Sequence, residues 1–211
     1  MDYKGFNIAV HEFGHNVEQT LSLHKVPHYT LHGIPFTAFT EAFAFVFQHR
    51  DLALLGITDN NPQQQHLAAL DAAWMTYEIM GMALTEMRLW KWIYSADPKN
   101  ADEIKENALR IARETWNEFF APVFGIEDQT ILGVYSHTVD YPLYLADYPL
   151  GHVIEFQIER YLEGKNLGAE MERMCAIGSI LPQEWMKRAV GQPISTQPML
   201  SAAEKALTYI S

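Results

Sequence analysis

The chain has 211 residues, of which 48% are hydrophobic and 12% aromatic, and this composition is typical of a folded globular protein. It carries 15 Lys and Arg against 26 Asp and Glu, giving a net charge of -11. No segment gathers basic residues into a stripe that could follow a phosphate backbone. We therefore expect no nucleic-acid partner.

Cys175 is the only cysteine, which excludes an internal disulfide and a cysteine-rich zinc module. Any bound metal would need His and carboxylate ligands. The N-terminus lacks the charged-then-apolar pattern of a signal peptide, and no run approaches the roughly 20 apolar residues of a membrane span. These features predict a cytoplasmic protein with no membrane partner.

Helical periodicity dominates the chain and alternating strand patterns are scarce, so the predicted fold is all-α, with a single helical domain over residues 1–211. The first two helices are predicted over about 5–24 and 37–55. A turn at Asp59-Asn60-Asn61-Pro62 predicts the start of a long helix over 62–95. Further helices are predicted over 97–120, from the end of an irregular connection at 125–133 to about 163, and over 168–178, 182–190 and 201–210.

The long helix over 62–95 has apolar residues at spacings of three and four, which predicts a face packed on a core. The members of this stripe are Leu67, Leu70, Trp74, Tyr77, Gly81 and Leu84.

The pattern His11-Glu12-Phe13-Gly14-His15 falls in the first predicted helix. Residues four apart on an α-helix differ by about 40° around the axis, so His11 and His15 project toward one point. Imidazole suits Zn²⁺, and a catalytic zinc site takes three protein ligands and keeps a fourth position open. Glu12 is placed to act as general base beside that open position. Composition alone would produce this pattern only about 0.03 times in the chain.

The residues around this motif bear on its interpretation. Ile8, Ala9, Val10 and Phe13 predict a mostly buried helix, in which two histidines and a glutamate would be costly without a partner. One zinc ion would supply that partner. The alternative is that the histidines are ordinary polar residues of a helix.

Glu41 is the best candidate for the third ligand. It lies near the start of a helix that continues as Ala42-Phe43-Ala44-Phe45-Val46-Phe47, and a lone carboxylate in such surroundings needs a counter-charge. The alternative is an acidic residue in the first helical turn, favoured by the helix dipole. The first interpretation predicts a zinc site between two or three core helices, held by His11, His15 and Glu41.

These residues resemble the thimet oligopeptidase and oligoendopeptidase F family of zinc peptidases, in which His-Glu-Phe/Leu-Gly-His is followed about 25 residues later by a ligand glutamate. Here 25 residues separate His15 from Glu41. The resemblance implies one zinc ion, with Glu12 as the catalytic base.

A second match to that family lies at Pro142-Leu143-Tyr144-Leu145-Ala146-Asp147-Tyr148-Pro149-Leu150-Gly151, which is similar to the oligoendopeptidase F pattern P-F-Y-x-Y-x-Y-x-x-G. As in the family, a histidine precedes it, His137. The resemblance implies that His137 and the tyrosines Tyr141, Tyr144 and Tyr148 bind substrate and stabilise the oxyanion, since a phenol or imidazolium can donate to developing negative charge.

This second match departs from the family pattern. The spacing from His137 to Tyr144 is one residue longer, Ala146 replaces the middle tyrosine, and Pro149 is expected to interrupt the helix. Which tyrosine stabilises the oxyanion therefore stays open, and the tyrosines could instead be core residues of an amphipathic helix.

The resemblance covers residues 3–56 and 132–200 and implies a zinc-dependent peptidase acting on short peptides, as an endopeptidase or a carboxypeptidase. Family members are much longer, so the chain is expected to be an N-terminally truncated catalytic part whose substrate channel needs a missing N-terminal segment or a second chain. The truncation would also remove any signal peptide. The alternative is a metal-binding but catalytically incomplete helical domain that works as a binding or assembly module.

Overall fold

The computed structural model describes residues 2–57, 61, 63–95 and 100–210. Within these residues it contains eleven α-helices, two 3-10 turns and no β-strand, which confirms the all-α prediction. No helix among them combines the length and the apolar character needed to cross a membrane.

The helices are numbered in chain order. They are α1 (Tyr3–His24), α2 (Thr37–Gln48), α3 (Asp51–Leu54), α4 (Gln64–Ile93), α5 (Ala101–Phe119), α6 (Ala121–Phe124), α7 (His137–Asp140), α8 (Asp147–Leu162), α9 (Leu167–Cys175), α10 (Pro182–Val190) and α11 (Gln197–Ile210), with 3-10 turns at Tyr29–Leu31 and Ile131–Gly133. The chain divides into two compact units. The first unit comprises Met1–Trp74 and Leu150–Ser211, and the second comprises Met75–Pro149.

The core of the first unit is built around α2. This helix is buried along most of its length, because its sequence is almost entirely apolar and offers no polar face to solvent. Phe39 and Phe43 pack edge-on against Trp185 of α10, with ring centroids 4.9 and 5.9 Å apart. Ile154 and Ile158 of α8 belong to the same cluster.

The second unit has its own smaller core. Ala112 of α5, Phe120 and Leu132 are buried together, with Tyr77 and Trp116 packed against them. The helix α5 begins at a capping box, in which Asn100 and Glu103 each accept a hydrogen bond from the other's backbone N–H. This reciprocal cap fixes the start of the helix.

Several predicted boundaries are wrong. The predicted helix over 37–55 is two helices, α2 and α3, separated at His49 and Arg50. The region after residue 133 is not continuously helical, since residues 141–146 lie between α7 and α8. Pro149 does not interrupt α8, because it lies in the first turn, where its missing N–H costs no hydrogen bond. The predicted helix starts at Pro62 and Asp97 lie outside the described residues.

Two predictions of burial are also wrong. On α1, Ile8 and Phe13 are 48% and 56% exposed, so only one face of this helix is buried. On α4, Leu67 and Trp74 of the predicted core stripe are exposed.

Candidate metal centre

Three predicted ligands meet in the first unit. The Nε2 atoms of His11 and His15 on α1 lie 3.5 and 3.8 Å from Oε2 of Glu41 on α2. One ligand atom from each residue can be chosen so that all three lie within 4.8 Å of one another. No other group of three such side chains is found among the described residues.

The donor set fits a small tetrahedral ion. Zinc bound at about 2.0–2.1 Å from each donor places neighbouring donors roughly 3.3–3.4 Å apart. The shorter distance from Glu41, 3.5 Å, is close to this separation and the longer, 3.8 Å, exceeds it. Two imidazoles with one carboxylate are a common catalytic zinc set. Since His11 and His15 are half-buried and Glu41 is only 3% exposed, one side of the cluster is accessible and the other is closed by protein.

Gly14 sets the distance between α1 and α2. A Cβ atom at this position would lie 2.8 Å from Cα of Ala44 and 3.0 Å from Cβ of Phe47, closer than carbon atoms approach one another. The backbone of α1 can therefore touch α2 only because residue 14 has no side chain. This contact lies between the two histidines in sequence, and it brings them within reach of Glu41.

A second close contact, with α8, restricts the position of Glu41. Gly151 of α8 faces it, and a Cβ at Gly151 would lie 3.0 Å from Cβ of Glu41. The next residue, His152, is 6% exposed and stacks on Phe45 with ring centroids 4.0 Å apart. Burial lowers the pKa of His152 to about 4, so this ring is neutral near pH 7. Phe45 also packs against His11.

A chain of hydrogen bonds fixes the ring of His11. Its Nδ1 lies 3.0 Å from Oε1 of Gln48, Nε2 of Gln48 donates to Oδ1 of Asn7, and Nδ2 of Asn7 donates to Asp51. An ionised carboxylate only accepts hydrogen bonds, so Asp51 sets the direction of the whole chain. In that direction Nδ1 of His11 is the donor, and Nε2 keeps the lone pair that a metal ion requires.

Electrostatics distinguish the two histidines. Burial alone would lower the pKa of His11, but hydrogen bonds to Glu41 and Gln48 together raise it above its ordinary value. Burial lowers the pKa of His15, and the nearby Glu41 only partly opposes this shift. Without a metal, His11 therefore binds a proton more readily than His15.

Glu12 lies next to the ligands on α1 and is exposed. Because it follows His11 directly, its side chain leaves the helix about 100° around the axis from the ligand face. A carboxylate at the accessible edge of the cluster can accept a proton from water.

The predicted His137 and tyrosines belong to the second unit, in what we call the tyrosine segment, residues 137–148. The structure brings these four side chains together in pairs. The ring centroid of His137 lies 6.0 Å from that of Tyr141 and 6.3 Å from that of Tyr144, and the ring centroids of Tyr144 and Tyr148 are 5.4 Å apart. Tyr141 is 62% exposed, so the interpretation of this residue as a core side chain is wrong.

Two residues of α4, one helical turn apart, hold the tyrosine segment. Glu86 accepts hydrogen bonds from the backbone N–H of Leu143 at 2.8 Å and of Leu145 at 3.1 Å. Trp90 donates from Nε1 to the carbonyl of Thr138 at 2.9 Å. Glu86 is fully buried, and burial raises its pKa although these N–H donors oppose the shift.

Sequence reasoning missed the supporting residues of both regions. Gln48 follows Glu41 by seven residues, which is two helical turns, so the two side chains share a face of α2. That spacing could have identified Gln48 as a partner of α1. Nothing local identifies Glu86, since its partners are backbone groups more than 50 residues later.

No family model matches this chain, and no curated protein or solved structure matches it significantly. The resemblance to the oligopeptidase family therefore rests on the motif residues and their spacing.

Proposed function

We propose that this protein is a zinc-dependent peptidase that hydrolyses short peptides. The observation that carries the proposal is the convergence of His11, His15 and Glu41, whose ligand atoms lie within 4.8 Å of one another. Both imidazoles come from one helix and the carboxylate from another, so the ligand set depends on tertiary packing and not on local sequence alone.

Zinc is the ion that this donor set favours, since nitrogen ligands disfavour Mg²⁺ and Ca²⁺ and the only cysteine is buried elsewhere in the core. When bound, zinc acts as a Lewis acid that polarises a peptide carbonyl and lowers the pKa of water.

Glu12 performs the proton transfers in this proposal. Its carboxylate accepts a proton from the attacking water and then donates that proton to the nitrogen of the leaving amine. Gln48 keeps His11 in the tautomer that leaves Nε2 available, and Asp51 holds that orientation through Asn7. These residues position a ligand and do not touch the substrate.

In this proposal the family resemblance, and not the structure, gives oxyanion stabilisation to the tyrosine segment. Tyr141, Tyr144, Tyr148 and His137 offer phenol and imidazole donors, which suit a carbonyl oxygen that gains negative charge. Exposed Tyr141 is available to a bound peptide. The hydrogen bonds to Glu86 and Trp90 order the backbone of the segment before substrate arrives.

The test combines metal analysis with a defined peptide library. The zinc-loaded chain is incubated with peptides of five to twelve residues, and the products are identified by mass spectrometry, which also separates endopeptidase from carboxypeptidase cleavage. We expect Glu12→Gln to abolish cleavage while zinc remains bound at one ion per chain. Glu204→Gln, the same change at an exposed position of α11, is the matched control and should cleave as wild type does.

Two results would contradict the proposal in different ways. A wild-type chain that binds one zinc ion and cleaves no peptide would favour a metal-binding module without catalysis. A chain whose zinc content is the same before and after His15→Ala would show that the metal is not held by these ligands.

A further inference from the structure

A second candidate site lies in the first unit, in a cleft that we call the α8 cleft. Its volume is about 330 Å³, which is within the range of small-ligand pockets. It is lined by His49, which follows α2, and by residues from the start of α4, the middle of α8, and α11.

The floor of the α8 cleft carries a buried carboxyl group. Glu155 is 2% exposed, and its Oε1 lies 3.5 Å from Nε2 of His49. Burial raises the pKa of Glu155 well above its ordinary value, and repulsion from Glu159 adds to the shift. A carboxyl group in these surroundings gains most from a ligand that brings its own positive charge.

Arg50 only partly opposes the rise in the pKa of Glu155, because it pairs with another carboxyl group. Glu159, one turn further along α8, is paired with Arg50, whose Nη1 and Nη2 lie 2.5 and 3.1 Å from its two carboxylate oxygens. Arg160 is directed over the ring of Phe156. Two carboxyl groups on this face of α8 therefore share one paired guanidinium.

One part of the wall of the α8 cleft is apolar and made mostly of small side chains, while the rest is polar or charged. Ala68, Ala69 and Ala72 of α4 face it together with Ala202 of α11, and the ring of Phe156 forms another part of the lining. Alanine leaves room where a larger side chain would fill the space, so this part of the wall suits a hydrocarbon or aromatic group. Lys205 also lines the cleft and is exposed.

We propose that the α8 cleft binds an organic primary ammonium group attached to a short apolar body, with the ammonium at Glu155 and the body against the alanines and Phe156. Such a ligand is either a small free amine or the N-terminal residue of a peptide. The site is separate from the metal ligands and does not depend on the proposed peptidase activity.

The test is calorimetric titration of the full chain with benzylamine, and with benzyl alcohol as an uncharged ligand of the same shape. We expect saturable binding of benzylamine and at least about tenfold weaker binding of benzyl alcohol, since a charge-assisted hydrogen bond contributes a factor of this size or more. Equal affinities for the two ligands would overturn the proposal, as would the absence of saturable benzylamine binding.

Two variants test the position of the ligand. Glu155→Gln keeps the shape of the side chain and should weaken benzylamine binding at least about tenfold, whereas Glu204→Gln on exposed α11 should bind as wild type does. Ala202→Leu fills the cleft and should also weaken binding. Wild-type affinity in either Glu155→Gln or Ala202→Leu would overturn the proposal.

The source of the ammonium group is decided by a third titration. Phe-Gly-Gly presents the same chemistry as a peptide N-terminus, and its N-acetylated form removes the charge. Tighter binding of Phe-Gly-Gly than of benzylamine assigns the cleft to peptide N-termini, and the reverse order assigns it to small amines. In either case the acetylated peptide should bind at least about tenfold more weakly than the free peptide, and equal binding would contradict the proposal.

Discussion

Two buried carboxyl groups organise the two regions that the proposed chemistry uses, and they do so in different ways. Asp51 lies at the end of the chain that orients His11, where it accepts hydrogen bonds from the side chains of Tyr3 and Asn7. Glu86 holds the tyrosine segment by accepting from backbone N–H groups. The first carboxylate connects helices that are already packed, whereas the second orders the backbone between two helices, α7 and α8.

The pKa values of these carboxyl groups are shifted in opposite directions. Burial alone would raise the pKa of Asp51, but hydrogen bonds from Asn7, Tyr3 and the N–H of Leu52 outweigh it and lower the pKa. At Glu86 burial outweighs the backbone donors and raises the pKa. The fold thus stabilises the ionised form of Asp51, which supports the metal region. It destabilises the ionised form of Glu86, which supports the tyrosine segment.

The largest expected effect concerns the contact between α1 and α2. Gly14→Ala places a Cβ 2.8 Å from Cα of Ala44 and should lower the free energy of unfolding by up to about 3 kcal/mol, because helix backbones must separate. Zinc affinity should fall with it. Chemical denaturation and zinc titration measure both, and Gly168→Ala, at an exposed helical position whose Cβ would make only an ordinary contact, tests glycine replacement without the clash. Unchanged zinc affinity in Gly14→Ala would show that helix spacing does not set the ligand geometry.

The second-largest effect is expected from loss of Gln48, the hydrogen-bond partner of His11. Gln48→Leu removes the acceptor at Nδ1, and zinc affinity should fall by about 10- to 100-fold, as is usual when a residue that orients a metal-binding histidine is lost. Competition with a chelating dye measures the affinity. Gln48→Glu keeps an acceptor and should retain more affinity than the leucine variant. The opposite ranking would contradict the orientation assigned to this chain.

The corresponding change in the second unit is Glu86→Gln. An amide nitrogen would face one of the backbone N–H groups of Leu143 and Leu145, so the local free energy of opening should fall by about 1–2 kcal/mol. Amide hydrogen exchange at these two residues should accelerate while zinc affinity stays at the wild-type value. Glu78→Gln, on an exposed part of α4, is the control. Zinc loss in Glu86→Gln would remove the distinction between the two regions.

The two carboxyl groups should also differ in their pH dependence. A lowered pKa means that Asp51 stabilises the fold above its ordinary pKa of 3.8, and that this stability is lost as the pH falls through the folded value. A raised pKa means that the contribution of Glu86 is full below 4.5 and is lost as the pH rises through its folded value. In unfolding experiments with chelator between about pH 3 and 7, the cost of Asp51→Asn should therefore grow with pH, and the cost of Glu86→Gln should shrink. Parallel trends would show that one of the assigned pKa directions is wrong.

The smallest expected effect lies at Leu143, which has a φ of +63°. This left-handed conformation is unfavourable for a side chain with a Cβ. Leu143→Gly should stabilise the protein by about 0.5 kcal/mol, because the strain removed slightly exceeds the added freedom of the unfolded chain. Leu143→Ala keeps the strain and should give no such gain in thermal unfolding. Equal stability of the two variants would mean that the strain is negligible.

The two regions also differ in how far the sequence predicts them. His11 and His15 could be found because an α-helix repeats its faces regularly, and Glu41 because a lone carboxylate is conspicuous in an otherwise apolar helix. The burial of α1 could not be predicted in the same way, since Ile8 and Phe13 are exposed and apolar character alone does not fix which face of a helix is covered.

The tyrosine segment was predicted by residue type but not by shape. The break between α7 and α8 depends on a left-handed leucine and on a carboxylate from a distant helix. Neither feature leaves a local pattern, because leucine does not signal a positive φ and Glu86 looks like any other glutamate on a long helix. No change in amino-acid composition marks the division of the chain into two compact units.

Because Gly14 has no side chain, the spacing of α1 and α2 also affects which metal ions the site can bind. Helices in direct backbone contact cannot move closer, and the packed core behind α2 resists their separation. The gap between the imidazoles and the carboxylate therefore has a nearly fixed width. A site of fixed width tolerates only a narrow range of metal–ligand bond lengths, so ions that need a different ligand separation should gain less from their general affinity for histidine.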